Sequence, residues 1–159
     1  MQRLALVLLA ACSTPTGSGT EPAGLGEKDF IEKSLATLRT AIAARDESRI
    51  MVECAVGESA ARYPAYTAEI ESLCFTKAPT ILLENAIAAT KAQNTKNPEL
   101  ADLNCRQLLA GDALKTVAKH PTNDAALAAL VTTYTQLCPK EAAKAKAKAN
   151  ASANAAALR

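Results

Sequence analysis

The sequence predicts an all-α fold, a small helical bundle built from two disulfide-pinned antiparallel helical hairpins plus an N-terminal helix. Three observations predict it. Alanine, the strongest helix former, is the commonest residue, with 36 of the 159. Apolar residues recur at three- and four-residue spacings through the body of the chain, and no useful stretch alternates with period two. Four cysteines, Cys54, Cys74, Cys105 and Cys138, fall in pairs placed symmetrically about prolines. With two Phe, three Tyr and no Trp, the core must be aliphatic and light. A formal charge of +2 argues against a dedicated nucleic-acid binder, which usually carries a concentrated basic face. The sequence also lacks the run of about 18 apolar residues that a membrane-spanning helix needs.

The chain opens on Met1-Gln2-Arg3 and an unbroken apolar run, Leu4 to Ala11. A charged start followed by an apolar stretch is the layout of a secretory signal peptide, here residues 1–11. The run closes on Leu9-Ala10-Ala11-Cys12. That tetrad resembles the lipobox of bacterial lipoproteins, in which small residues admit the backbone to a peptidase cleft and the thiol accepts the lipid. The resemblance implies a mature N-terminus at Cys12, thioether-linked to diacylglycerol, acylated on its amine and thereby anchored in a membrane. Ser13 follows it. In enteric-type lipoproteins an Asp at that place retains the protein at the inner membrane, so Ser implies the outer membrane, with the domain in the periplasm or at the cell surface.

Residues 12–26 read as the lipidated cysteine and a tether. The segment holds Gly17, Gly19, Gly24 and Gly26 with Pro15 and Pro22, and too little apolar content to fold. A coil of that length spans roughly 20 Å on average.

The helical domain is expected over residues 27–139. Ile31, Leu35, Leu38 and Ile42 make one stripe, on a helix from about Lys28 to Arg45. Asp46 and Ser48 are capping types that open a second helix with Ile50, Met51, Cys54 and Ala55. Pro64 stops it near Tyr63. A third helix carries Tyr66, Ile70, Leu73 and Cys74 until Pro79 ends or kinks it, and a fourth continues through Ile81, Leu83 and Ile87 to about Ala92. Gln93–Asn97 reads as a polar loop. Asn97-Pro98-Glu99 starts the next helix, with Leu100, Leu103, Cys105, Leu108, Leu109, Leu114 and Val117 along it and a possible break at Gly111-Asp112. After the turn at His120–Asn123 comes the cleanest stripe, Leu127, Leu130, Val131, Tyr134, Leu137 and Cys138, which Pro139 stops.

The tail, residues 140–159, is low in complexity. Lys140, Lys144, Lys146, Lys148 and Arg159 face Glu141 alone, whereas residues 4–139 are net acidic. A solvated, fraying helix with nothing to dock it is the plain expectation. The sharper one is electrostatic contact with anionic phosphates, peptidoglycan or an acidic partner.

The cysteines carry the most information. Four allow three pairings. The midpoint of Cys54 and Cys74 is Pro64, and that of Cys105 and Cys138 falls beside Pro121. Residues equidistant from the turn of an antiparallel hairpin lie at one height, so Cys54–Cys74 and Cys105–Cys138 are the expected bridges. They require an oxidising compartment, in agreement with export. Paired thiolates at short spacing for zinc are missing, as is a redox CxxC. His120 is expected to favour a helix C-terminus electrostatically rather than to catalyse. Glu53, Glu58, Glu69 and Glu71 cluster in sequence, as solvated helix faces do. No catalytic, cofactor or metal residues emerge. The expected function is a non-enzymatic, outer-membrane-anchored protein-binding, assembly or scaffold factor. Its plan, though not its matched residues, is similar to pilotin-type lipoproteins that chaperone outer-membrane pores. The alternative is a periplasmic carrier of a small apolar ligand in the bundle.

Overall fold

The computed structural model describes residues 25–60, 63–106 and 108–157; the expected signal peptide, Cys12 and most of the tether lie outside the described residues. Helix α1 spans Leu25–Ala44 and buries Ile31, Leu35, Leu38 and Ala41 along the expected stripe, with Ile42 half-buried. Helix α2 spans Glu47–Ala60 and runs back along α1. Asp46 caps it, its Oδ1 accepting from the Arg49 N–H at 3.1 Å.

The turn between these helices is tight. Arg45 takes the left-handed conformation (φ 55°), and the Asp46 N–H donates back to the Ala41 carbonyl at 2.9 Å. That conformation costs a non-glycine residue about 1–2 kcal/mol. What Arg45 supplies in return is its guanidinium, 2.7 Å from Glu84 Oε2 and 3.0 Å from Asn85 Oδ1. Asn85 in turn donates to Glu47 at 2.6 Å. The loss of this clamp and the relief of backbone strain oppose each other. Arg45→Gly should therefore stay within about 0.5 kcal/mol of the wild type, and Arg45→Ala should fall about 1 kcal/mol below the glycine variant in urea unfolding.

The central element is one continuous helical rod. Helix α3, Pro64–Ile70, passes into a π-helical segment, Glu71–Lys77, and then into α4, Ala78–Lys96. The expectation that Pro79 ends or kinks this helix is corrected. Proline lacks an N–H, and in an α-helix its ring collides with the carbonyl four residues back. Here the preceding turn is wound wider, and the Ala78 N–H donates five residues back, to Leu73. That register accommodates the ring, and Pro79 is itself fully buried. The expected polar loop at 93–97 is also helix as far as Lys96. At about 1.5 Å per residue the rod is roughly 50 Å long.

Two assemblies pack on this spine. Its first part meets α1 and α2 through Ile70, Leu73, Cys74 and Phe75, and a smaller cluster joins Ala41 and Ile50 to Ala78 and Ile81. Its second part, with Leu82, Leu83, Ala86 and Ile87, meets the C-terminal helices. These are not the helices expected. After a 3₁₀ turn, Pro98–Leu100, the short α5, Ala101–Asn104, stops before Cys105, and α6, Leu108–Lys119, runs through Gly111 unbroken. Asn97 makes no side-chain cap. Asn104 closes the corner instead, its amide donating to Asn94 Oδ1 at 2.8 Å and to the Asn97 carbonyl at 3.3 Å.

Helix α7, Ala125–Leu137, is capped by Asp124, whose carboxylate accepts from the Leu127 N–H at 2.7 Å. Pro139 both follows α7 and opens α8, Pro139–Ala157, where a missing N–H costs nothing. Helix α8 corrects the expectation of an undocked tail. Ala142 and Ala145 are buried in the same cluster as Ala110 and Ala113 of α6. Alanine faces let the two helices approach closely.

Candidate functional site

Both expected bridges are formed. Cys54 and Cys74 join α2 to the π segment with Cα atoms 5.4 Å apart; Cys105 and Cys138 join the end of α5 to the end of α7 at 5.5 Å. The second pair differs from expectation in one respect. Cys105 lies beyond its short helix and Cys138 is the residue that ends α7, so the bridge closes the mouth of the α6–α7 unit. Tyr134 reinforces it. Its ring is 1% exposed, and its hydroxyl donates to the Cys105 carbonyl at 2.9 Å.

Burial, with the Glu141 charge second, pushes the Tyr134 hydroxyl above its usual pKa of 10.0. A tyrosine kept neutral by folding contributes stability that is complete below pH 10 and lost as pH rises through the folded value. Tyr134→Phe should cost about 1–2 kcal/mol near neutrality by leaving the Cys105 carbonyl without its donor. The gap between the two proteins should narrow in urea titrations above about pH 10.

The remaining sequence candidates separate into packing and surface roles. The ring of His120, at the end of α6, stacks on Phe75 of the π segment with centroids 3.7 Å apart and planes 3° from parallel. It joins the C-terminal assembly to the other half of the spine. Glu69 pairs with Arg39 of α1 at 2.6 and 2.8 Å, and that guanidinium holds its carboxyl below the usual range. Glu53 accepts from Ser34, while Glu71 stands exposed; the side chain of Glu58 lies outside the described residues. The acids thus serve different contacts and do not converge on one centre. Among the described residues no group of His, Cys, Asp or Glu is arranged to hold a metal ion.

Among the concave features that the described residues form, two bear on the expected functions. A small, mostly apolar cavity of about 160 Å³ lies against the Cys54–Cys74 bridge, between Ile50, Met51, Ala78, Leu82 and Ala113. A larger open groove of about 400 Å³ runs between α6 and α8. Both helices start beside the Cys105–Cys138 bridge. They run in the same direction, and Arg106, Asp112 and Lys115 line the groove together with Glu141, Lys144 and Lys148.

The structure places two of the four lysines singled out from sequence, Lys144 and Lys148, in this groove. Lys140, Lys144 and Lys148 follow a four-residue repeat, with Lys140 paired to Asp102 of α5 at the rim. That ammonium holds the Asp102 carboxyl below its usual range. Lys146 falls out of the repeat, on another face of α8, and does not line the groove. Arg106 and Lys115 were not legible as partners, since they belong to elements far from the tail in sequence. No protein-family model, curated protein or solved structure matches the chain.

Proposed function

We propose that the chain is a lipid-anchored, non-enzymatic helical protein of the bacterial outer membrane that binds another envelope protein as an assembly or scaffold factor. The observation that carries this reading is the pair of intramolecular disulfides, one in each of the two assemblies packed on the spine. Such bridges belong to an oxidising compartment. They agree with the export and lipidation motif that ends at Cys12. No helix among the described residues is long and apolar enough to cross a membrane.

The geometry favours a protein partner over a small apolar ligand. Ligand pockets measure about 300–1,000 Å³, and the apolar cavity beside the Cys54–Cys74 bridge is about half the lower figure. The bundle does expose apolar side chains, among them Leu100 and Leu103, 43% and 52% exposed and one turn apart at the α5 corner. The tether joins the opposite end of the molecule. Ile31 and Leu35 pack with Ile70, and the Tyr66 hydroxyl donates to Glu32 at 3.0 Å, so α1 begins beside the start of the spine. The α5 corner follows the spine's other end, roughly 50 Å away. An anchored domain of this shape can hold that corner clear of the lipid surface for a partner.

In-cell photo-crosslinking tests the reading. A photoreactive residue at Leu103 should give one predominant protein adduct in the membrane fraction, and the same group at exposed Ala129 should not. The same weak background at both positions would remove the protein-binding role.

A further inference from the structure

We propose that the groove between α6 and α8 is a binding site for phosphate groups, with Arg106, Lys115, Lys144 and Lys148 as its cationic walls. The first reason is the balance of charge. Those four cations share the groove with only two carboxylates, Asp112 and Glu141, in a domain whose body is net acidic.

The second reason is the direction of the ion pairs. Charges that serve to fasten two helices pair across the gap between them. Here Lys115 pairs with Asp112 and Lys144 with Glu141, each three residues away on its own helix. Exposed pairs of this kind are weak and readily exchanged. Arg106 acts on Asp102 of α5, whose carboxyl it helps to hold below its usual range after the larger effect of Lys140. An anion seated between the walls can exchange with these pairs.

The third reason is Gly111. Glycine inside a helix is unfavourable, and this one stands in the groove lining within unbroken helix α6. A methyl group there would meet nothing within 4 Å, so packing does not require the glycine. Its effect is to keep that part of the groove floor clear of a side chain. Phosphate is the chemistry that fits: guanidinium grips its oxygens in a fork, and ammonium groups on flexible stems close round the remainder. This inference does not depend on the lipid anchor or on a protein partner.

The test uses the full chain, expressed without lipid, and two probes. One is vesicles of phosphatidylcholine containing one-third phosphatidylglycerol, with pure phosphatidylcholine as blank. The other is inorganic pyrophosphate, followed by calorimetry. Lys144→Glu and Lys146→Glu change the net charge equally, but only Lys144 lines the groove.

The site predicts that Lys144→Glu weakens binding at least tenfold and Lys146→Glu less than threefold. Because Lys144→Glu sets two acids one turn apart on α8, Arg106→Gln serves as a second variant outside that helix. It should weaken binding several-fold with the circular dichroism unchanged. Binding to the vesicles alone identifies the ligand as a lipid headgroup, and binding to pyrophosphate identifies a soluble phosphate. Equal losses in Lys144→Glu and Lys146→Glu would show diffuse charge attraction and overturn the site. So would the absence of binding to both probes.

Discussion

Replacing Cys105 and Cys138 together by Ser should lower stability by about 3–4 kcal/mol, seen as a shift of the urea midpoint with little change in slope. The bridge closes a loop with a sequence separation of 33 residues, against 20 for Cys54–Cys74. Loop-closure entropy grows only with the logarithm of length, so the Cys54/Cys74 double variant should lose nearly as much, within about 0.5 kcal/mol. The losses are large beside the roughly 5–15 kcal/mol that holds a domain folded. They are also expected to be unequal in kind. Without Cys105–Cys138, α5 and α7 lose the covalent tie between their ends, and the Tyr134 hydrogen bond to the Cys105 carbonyl loses its support. Without Cys54–Cys74, α2 is still held to the rest of the domain by Ile50 and by the Arg45 clamp. Hydrogen exchange on the two reduced proteins should therefore show broader opening in the C-terminal half.

Leu83→Ala should cost about 2–5 kcal/mol. Leu83 is fully buried in α4, in the cluster that also takes Leu127, Tyr134, Ala110 and Ala113. The alanines of that cluster, Ala86, Ala110, Ala113, Ala142 and Ala145, have no side chain able to swing into a vacated space, which places the expected loss toward the upper part of that range. Leu100→Ala is the control. Leu100 is 43% exposed, and the same substitution there should cost no more than about 0.5 kcal/mol. Comparable losses at the two positions would mean that the spine is not the centre of packing.

The elements that sequence made legible are those marked by residues with only one physical use. Proline and cysteine placed both bridges, because a proline turn fixes the height at which partners meet. The stripe Ile31, Leu35, Leu38 marked the buried face of α1 because isoleucine and leucine stand out from an alanine background. Alanine itself does not. Ala142 and Ala145 dock α8 on the core, but each looks the same in sequence as the exposed Ala143 and Ala147 beside it. The winding before Pro79 was hidden for a different reason. Whether a proline breaks a helix or is accommodated by a wider turn depends on what packs against it, and Pro79 sits in the core. The groove was half legible. Its lysines showed in the tail, but Arg106 and Lys115 reach it only because α6 and α8 leave the Cys105–Cys138 bridge side by side.

Metabolic labelling with a fatty-acid probe in a bacterial host tests the central claim most directly, since the proposed anchoring and compartment both rest on a lipid at Cys12. The wild-type protein should carry the label and sediment with the outer membrane. Cys12→Ala should lose the label and accumulate as uncleaved precursor or soluble protein, with Cys54–Cys74 and Cys105–Cys138 still formed wherever it has been exported. Label that persists in Cys12→Ala, or is absent from the wild type, would contradict the lipoprotein reading and return Cys12 to the pool of ordinary thiols.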